Sequence, residues 1–305
     1  MRAARDEFGL EVVTRLPITE SFSSSVLSFI AVDGRHYVLK QHWARNKAER
    51  EASALRALDE HPHVPALLAT SECDDTLTLL IEGLDATPWA NVDTSPPELL
   101  GQLGRAMALL HRTPADSFDG LESWHGLLVA NADRYVASIG ADDIALAELA
   151  RDILHQYLVE VPSSFEACLV HFDLRPGNVL VRDGRLVGII DFEACRGGHP
   201  SMDFFKLWQQ VDPHVPGGLS EILRGYRDGA EPTEPWTEPG SLRRLMQIYA
   251  AYHGLAGLAW CHSRDDFRGD FPFVNRGLIQ QAAAALDEST PRSRASGTDG
   301  SSAPR

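Results

Sequence analysis

The stretch that decides the fold, residues 169–193, reads LVHFDLRPGNVLVRDGRLVGIIDFE. An apolar run at residues 187–190 follows an Asp183-Gly184 pair, which is typical of the tight turn between two antiparallel strands. Such a hairpin places Asn178, just before its first strand, beside Asp191, just after its second strand. The sequence therefore predicts that an amide and a carboxylate meet at one end of a small hairpin.

The loop before this hairpin has a spacing typical of phosphoryl transfer. Asp173 and Asn178 are spaced as in the kinase pattern H-R-D-x-x-x-x-N, whose Asp accepts a hydroxyl proton and whose Asn ligates magnesium. We therefore predict Asp173 as the catalytic base. Asn178 and Asp191 are predicted ligands of Mg²⁺, which prefers few protein oxygens. Arg175 is a candidate contact for substrate or γ-phosphate, although a structural salt bridge is the commoner role of such an arginine.

The N-terminal part of the chain alternates strand and helix signals. Apolar residues recur at helical spacing between residues 45 and 60. Runs typical of strands lie on both sides of this segment, at residues 10–13, 26–32, 36–40, 66–68 and 77–81. This order predicts a small antiparallel sheet with one helix.

Lys40 ends the third of these predicted strands, where a kinase-type lysine reaches the α- and β-phosphates of a nucleotide. Only three of the 28 basic residues are lysines, namely Lys40, Lys47 and Lys206. Because arginine is the default cation of this chain, a lysine at this position indicates a compact point charge selected for phosphate. Glu51, on the following helix, is predicted to pair with Lys40, although by itself it is more often a solvated carboxylate.

The segment between the first two predicted strands is rich in serine and matches neither a glycine-rich loop nor a Walker loop. Ser23 and Ser24 are candidate nucleotide contacts, because small side chains allow the backbone to approach a phosphate closely. A plain surface turn explains these serines equally well.

A polar and glycine-containing break after residue 82 predicts a boundary between two lobes. The N-terminal nucleotide-binding lobe then comprises residues 1–82, and the catalytic and acceptor-binding lobe comprises residues 83–288. The second lobe is mostly helical by its apolar periodicity. Residues 289–305 contain no bulky apolar side chain and predict a disordered tail. The fold class is therefore α+β, with two lobes.

Composition limits the possible partners. The formal net charge of −15 disfavours nucleic acid as a partner. No run is long and apolar enough to span a membrane, so we expect a cytoplasmic protein. We expect it to be a monomer or a homodimer. Most of the acidic excess lies in residues 83–288 and suits a cationic partner, although acidity that only maintains solubility is the commoner explanation. Four widely separated cysteines indicate neither a zinc site nor a disulfide framework.

Three linked motifs resemble those of the aminoglycoside phosphotransferase and choline kinase-like family of small-molecule kinases. The family pattern H-G-D-x-x-x-x-N is similar to residues 171–178, I-D-[WF]-E matches residues 190–193, and G-x-P-x-x-D matches residues 198–203. The resemblance implies a bilobal protein-kinase-like fold that uses ATP or GTP with Mg²⁺. It also implies that Lys40 and Glu51 form the ion pair of the nucleotide lobe.

The resemblance carries over further roles to this chain. By that likeness adenine is contacted around the lobe boundary, by Ile81, Glu82, Gly83 and Leu84. Asp203 is interpreted as a helix cap and anchor rather than a substrate contact. Phe172 replaces the usual glycine of the family pattern. The missing glycine after Asp191-Phe192, together with the lack of an Ala-Pro-Glu segment, argues against a protein kinase.

Acceptors in this family range from aminoglycosides and other antibiotics to choline, sugars, homoserine and methylthioribose. Together with the acidic C-terminal region, this favours a cationic antibiotic of aminoglycoside type as acceptor, and hence a role in antibiotic resistance. Glu193, Asp265, Asp266 and Asp270 are candidate acceptor contacts, although each of the last three also fits a solvated loop. The alternatives are a kinase of a small metabolite and a kinase-fold regulator without turnover.

Overall fold

The computed structural model describes residues 2–17, 24–73, 75–92, 97–114, 124–161, 167–230 and 234–289. Ser23 and nearly all of the predicted tail lie outside these residues. The chain divides into two compact units, one formed by residues 1–127 with 160–246 and the other by residues 128–159 with 247–305. This is a different partition from the boundary predicted after residue 82, and the two lobes stay a prediction.

The first unit contains a five-stranded antiparallel sheet, in the order β1-β2-β3-β5-β4. Its strands are β1 (Val12–Leu16), β2 (Ser24–Ala31), β3 (His36–His42), β4 (Leu67–Cys73) and β5 (Thr76–Glu82). The predicted strands pair antiparallel in this sheet, with Val26 opposite Lys40 and Lys40 opposite Leu79. The small antiparallel sheet is therefore confirmed.

Two helices accompany this sheet. Helix α1 (Arg2–Phe8) packs its Ala4 into a core cluster with Phe29 and Tyr37, although it is too short for its periodicity to be recognised in the sequence. Helix α2 (Arg45–Ala57) is the predicted one, with Ala48, Ala52 and Leu55 buried. Its buried face also carries the carboxylate of Glu51, so this helix buries an acidic group that needs a partner.

The remaining helices are α3 (Pro97–Leu110), α4 (Trp124–Ala137), α5 (Ile144–Tyr157), α6 (Phe204–Gln210), α7 (Gly218–Gly229), α8 (Pro239–Arg264) and α9 (Phe271–Ser289). All except α4 were expected from apolar periodicity, with ends that differ by up to two turns. Helices α3 and α7 pack very closely, because a Cβ at Gly104 would lie only 2.0 Å from the backbone oxygen of Ile222. None of the described helices has both the length and the apolarity needed to cross a bilayer.

Residues 169–193 form short strands and loops in the first unit. Strands β6 (Thr87–Pro88), β8 (Val179–Arg182) and β9 (Arg185–Ile189) form one small sheet, and β7 (Cys168–Val170) pairs with β10 (Arg196–Gly198). Strands β8 and β9 form the predicted hairpin, with Val179 opposite Ile189. Its turn residues Asp183 and Gly184 both have positive φ, of 52° and 72°, as a two-residue hairpin turn requires.

The second unit is helical. Helix α5 packs against α9, and an ion-pair cluster is centred on the buried Asp143, just before α5. Arg276 donates to both oxygens of Asp143, and His262 lies 3.1 Å from one of them. The hydrogen bonds from Arg276 hold the pKa of Asp143 below its usual value, despite the opposing effect of burial. This cluster stabilises the unit by pairing a charge that is otherwise costly to bury.

Candidate active site

Lys40 of β3 joins two carboxylates that are far apart in the sequence. Its Nζ lies 3.0 Å from Glu51 Oε1 and 2.9 Å from Glu51 Oε2, and it donates to Asp191 Oδ1 at 2.5 Å. Lys40 is 7% exposed and Glu51 is 2% exposed. Burial disfavours the charge on Lys40, but Glu51 and Asp191 outweigh that effect and raise the pKa of Lys40. The predicted ion pair is therefore present, and it extends to Asp191.

Glu51, the acidic member of this pair, also contacts a histidine. His42 Nε2 lies 2.6 Å from Glu51 Oε2, and His42 Nδ1 lies 3.1 Å from Glu193 Oε2, a distance that allows an ion pair without hydrogen-bond geometry. Burial lowers the pKa of His42, but Glu193 and Glu51 outweigh burial, and the net pKa is raised. The pKa of Glu51 is lowered, because Lys40 and His42 together overcome its burial. The network keeps Glu51 ionised and facing Lys40.

Glu193 is drawn into this network. Lys47 donates to Glu193 Oε1 at 2.8 Å, and Arg50 donates to the backbone oxygen of Glu193 at 2.9 Å. Both basic residues belong to α2. The role of Glu193 as an acceptor contact stays a prediction, but this placement favours a role in holding α2 against the segment after Asp191.

Asp173 lies in the loop after β7 and receives three side-chain contacts. Asn178 Nδ2 donates to Asp173 Oδ2 at 3.2 Å and to the Asp173 backbone oxygen at 2.9 Å. Arg175 Nε lies 3.4 Å from Oδ2, and Lys206 Nζ pairs with Oδ1. Burial raises the pKa of Asp173, but the charge and hydrogen bond of Lys206 outweigh it, so the pKa lies below its usual value. The basic partners of Asp173 therefore stabilise its ionised form.

The backbone of this loop is held by Asp203. Its Oδ2 accepts the N–H of His171 at 2.8 Å, and its Oδ1 accepts the N–H of Phe172 at 2.7 Å. His111 Nε2 lies 3.0 Å from the same Oδ2. Within the described residues the Asp203 side chain makes no capping hydrogen bond to α6, so its interpretation as a helix cap was wrong. Two adjacent N–H groups aimed at one carboxylate explain why Asp is needed here.

Replacing Asp203 by asparagine is expected to lower the free energy of unfolding by about 1–3 kcal/mol, because one buried N–H of the loop then loses its acceptor. Turnover should fall as well, since the same loop carries Asp173, the predicted base. Chemical denaturation and turnover assays measure the two effects. Asp228→Asn, at a half-exposed position of α7, is the matched control. Equal stability of both variants would contradict this role.

Phe172 occupies a backbone conformation that favours glycine, with φ of 68°. A side chain in this left-handed region costs about 1–2 kcal/mol. Its ring is packed by the Arg196 guanidinium, 4.4 Å from the ring centroid, and by the edge of Trp124 at 6.1 Å. The cation–π contact, the aromatic packing and the bond to Asp203 offset the strain. The replacement of glycine at this position therefore adds an aromatic and cationic surface next to Asp173.

Asn178 and Asp191 meet at the end of the hairpin, as predicted. The N–H of Ile190 donates to the backbone oxygen of Asn178 at 3.0 Å, and Asp191 follows directly with φ of 73°. Within the part of the chain that the structure describes, both hydrogen bonds of the Asn178 side-chain amide use Nδ2, which leaves its oxygen Oδ1 for a cation. One amide oxygen and one carboxylate fit Mg²⁺, which takes few protein ligands and completes its shell with phosphate and water.

The predicted adenine segment follows β5. Ile81 is buried, and the N–H groups of Glu82 and Gly83 donate to the backbone oxygens of Ala66 and His36. A Cβ at Gly83 would lie 2.2 Å from the His36 ring, so only glycine fits there. Leu84 packs against Gly188 in the same way. The N–H groups of Glu82 and Gly83 are therefore already paired within the protein, and contact of residues 81–84 with adenine stays a prediction.

The remaining predicted contacts are placed as follows. Ser24 is buried at the start of β2, opposite His42, rather than in a loop. Asp265, Asp266 and Asp270 lie in the second unit between α8 and α9, where Asp266 accepts from Arg268 Nε at 2.9 Å. Their roles, like that of Ser24, stay predictions.

Sequence reasoning did not find two functional candidates, His42 and Lys206. The rarity of lysine in this chain was a signal that could have identified Lys206 as a functional residue. All three lysines of the chain contact acidic residues of this site: Lys40 with Glu51 and Asp191, Lys47 with Glu193, and Lys206 with Asp173. No comparable signal pointed to His42.

The site combines a small antiparallel sheet that carries α2 with a buried lysine–glutamate pair, and it sets the loop of Asp173 next to a hairpin that ends at Asp191. These features define a protein-kinase-like fold of the small-molecule phosphotransferase type. The chain belongs to the phosphotransferase enzyme family, whose sequence model matches residues 14–239. The family resemblance seen in the three motifs is thereby confirmed, as is the fold class.

Solved structures agree with this assignment of the fold. A thermostable mutant of aminoglycoside phosphotransferase APH(4)-Ia, in a ternary complex with ADP and hygromycin B, is 17% identical with a TM-score of 0.73, covering 93% of this chain and 97% of that one. Macrolide 2'-phosphotransferase MphH from Brachybacterium faecium is 21% identical with a TM-score of 0.65, covering 95% and 97%. At these identities the likeness shows the fold alone.

Curated relatives match shorter segments. Homoserine kinase from Granulibacter bethesdensis is 32% identical over 138 residues, which is 41% of this chain and 41% of that enzyme. The chain spans less than half the length of the curated relatives it matches.

Proposed function

We propose that this protein transfers the γ-phosphoryl group of a nucleoside triphosphate, ATP or GTP, to a hydroxyl of a small molecule in the cytoplasm. The observation that carries the proposal is the Lys40 ammonium, which joins Glu51 to Asp191. A buried lysine that is held by one carboxylate beside a second one is the arrangement needed to grip phosphates next to a metal site.

Each residue of the site has a role in this reaction. Asp173 orients the acceptor hydroxyl and takes its proton as the oxygen attacks the γ-phosphorus. Lys40 binds the α- and β-phosphates, and Glu51 with His42 keeps it extended. Asn178 and Asp191 hold Mg²⁺, which supplies positive charge that neutralises the phosphate oxygens. Residues 81–84 contact the base of the nucleotide.

The acceptor we propose is a cationic antibiotic of aminoglycoside type. The acidic excess of residues 83–288 supports it, because carboxylates attract and bind ammonium groups. So does the fold shared with APH(4)-Ia, which was crystallised with hygromycin B. Asp265, Asp266 and Asp270 are the candidate contacts for its amino groups.

A second candidate is a small metabolite such as a sugar, an amino alcohol or homoserine, with at most one positive charge. The match to a homoserine kinase favours it, and so does the chemistry around Asp173. Arg175 and Lys206 contact Asp173 directly, and Arg196 stacks on the neighbouring Phe172. Cations at this position accommodate phosphate, and they also suit an acceptor with a carboxylate.

The purified protein with Mg·ATP should release ADP in the presence of one acceptor class and not the others. The panel contains aminoglycosides, a macrolide, homoserine, choline and simple sugars, and Asp173→Asn protein is the matched control. Expression in a sensitive bacterium should raise aminoglycoside tolerance if the first candidate holds. Turnover of homoserine alone, with unchanged tolerance, would select the second. Nucleotide binding without release of ADP for any acceptor would favour the regulator instead.

A further inference from the structure

Lys206 has an unusual partner for a lysine on a helix surface. Its ammonium pairs with Oδ1 of Asp173, and the two side chains are only 29% and 23% exposed. Lys206 belongs to α6, which begins directly after Asp203, the residue that holds the backbone of the loop carrying Asp173. Residues 203–206 therefore both support the loop that carries Asp173 and bring a cation to the Asp173 carboxylate.

The choice of lysine here is informative. Arginine supplies all but three of the 28 basic residues, and Arg175 already contacts Oδ2 of Asp173. A guanidinium is a planar fork suited to a fixed bidentate partner, whereas an ammonium is a compact charge on a flexible stem that can exchange one oxygen partner for another. A lysine beside an arginine on one carboxylate indicates different tasks for the two cations.

The geometry of transfer limits where this ammonium can act. An acceptor hydroxyl must lie about 2.6–3.2 Å from the base and about 3–3.5 Å from the phosphorus it attacks. An ammonium bonded to the same carboxylate is then within reach of the γ-phosphoryl oxygens by rotation of its own side chain. Those oxygens carry more negative charge than the carboxylate and compete for the ammonium.

We propose that Lys206 is a ligand of the γ-phosphoryl group, pairing with Asp173 in the nucleotide-free protein and binding the γ-phosphate once Mg·ATP is present. This inference rests on the proposed function and adds a catalytic residue to it.

The bonds exchanged in the step are those of an ordinary phosphoryl transfer. The acceptor oxygen forms a bond to the γ-phosphorus, and the bond from that phosphorus to the β,γ-bridging oxygen breaks, with its electron pair leaving on ADP. The hydroxyl proton goes to Asp173. Lys206 keeps its protons throughout and stabilises the charge on the phosphoryl oxygens.

The test compares nucleotides with and without a γ-phosphate. Calorimetry with Mg²⁺ should show that Lys206→Met weakens binding of AMP-PNP roughly ten- to a hundredfold, as expected for one lost charge-assisted hydrogen bond. Binding of ADP should change less than about twofold, since Lys206 does not reach the β-phosphate in this proposal. Lys206→Arg should weaken the binding of AMP-PNP less than Lys206→Met does. Arg224→Met, at an exposed position of α7, is the matched control for charge and should match the wild type for both nucleotides.

A second measurement uses wild-type protein and does not depend on how the variants fold. Since the chain has three lysines, reductive methylation with a ¹³C label yields only three lysine side-chain signals. The Lys206 signal is assigned by its loss in Lys206→Arg. Its chemical shift should change when AMP-PNP binds and should stay near the nucleotide-free value when ADP binds. Equal shifts with both nucleotides, or equal losses of affinity for both in Lys206→Met, would overturn the role of Lys206 alone. Wild-type protein that binds neither nucleotide would overturn the proposed function and this inference with it.

Discussion

Replacing Asp173 by asparagine is expected to lower kcat by about 10²–10⁴-fold, because a general base contributes rate enhancement of this order. Asparagine has the same shape and still accepts the hydrogen bond from Asn178 Nδ2, which the structure places 3.2 Å from the Asp173 side chain. The loop should therefore keep its geometry, and the affinity for Mg·ATP should change little. The pKa of the wild-type Asp173 carboxyl lies below its usual value, so protonation of this group should not limit wild-type turnover near neutral pH.

Steady-state turnover and calorimetric nucleotide binding, measured on the same preparation, check this prediction. Asp152→Asn, at a position whose side chain is 68% exposed, is the control for loss of one negative charge. A kcat within tenfold of the wild type would contradict the assignment of Asp173 as base. Loss of nucleotide binding would instead point to a mainly structural carboxylate.

Replacing Lys40 by methionine is expected to lower the free energy of unfolding by about 2–4 kcal/mol and to abolish transfer. The stability effect arises because Glu51, 2% exposed, loses its main cationic partner and keeps only His42 and the N–H of Phe192 among its described contacts. Removing one member of a buried pair leaves an uncompensated charge, which typically costs about 3–5 kcal/mol when no second partner remains. The functional effect arises because no other lysine lies on this sheet to reach the phosphates.

The double variant Lys40→Met/Glu51→Gln separates these two effects. Removing the charge of Glu51 should restore stability to within about 1 kcal/mol of the wild type, since neutral isosteres often replace buried pairs at little cost. Transfer should stay lost. Arg45→Met, which breaks exposed ion pairs with Glu49 and Glu72, is the control and should cost less than about 1 kcal/mol. A double variant that transfers phosphate would show that Lys40 does not bind the nucleotide.

Much of the fold followed from local patterns. The strand-like runs at residues 26–32 and 36–40 predicted β2 and β3, and the Asp183-Gly184 pair predicted the turn between β8 and β9. Helix α4 was not predicted, although its buried Trp124, Leu128 and Ala132 recur at the four-residue spacing typical of a helix. Part of the candidate site was also predicted from local sequence patterns. Asp173, Asn178 and Asp191 lie on one loop and hairpin, whose geometry is local.

What the sequence by itself determined was the spacing of Asp173, Asn178 and Asp191. Covalent connection over two short strands sets the distance between such groups, and a two-residue turn sets the register. Only the tertiary structure decided which acid each lysine contacts. Lys40 reaches Asp191 across 151 positions, and Lys206 reaches Asp173 across 33. Those pairs depend on how helices and strands pack, and the periodicity of a single element does not encode the neighbour that its buried face will meet.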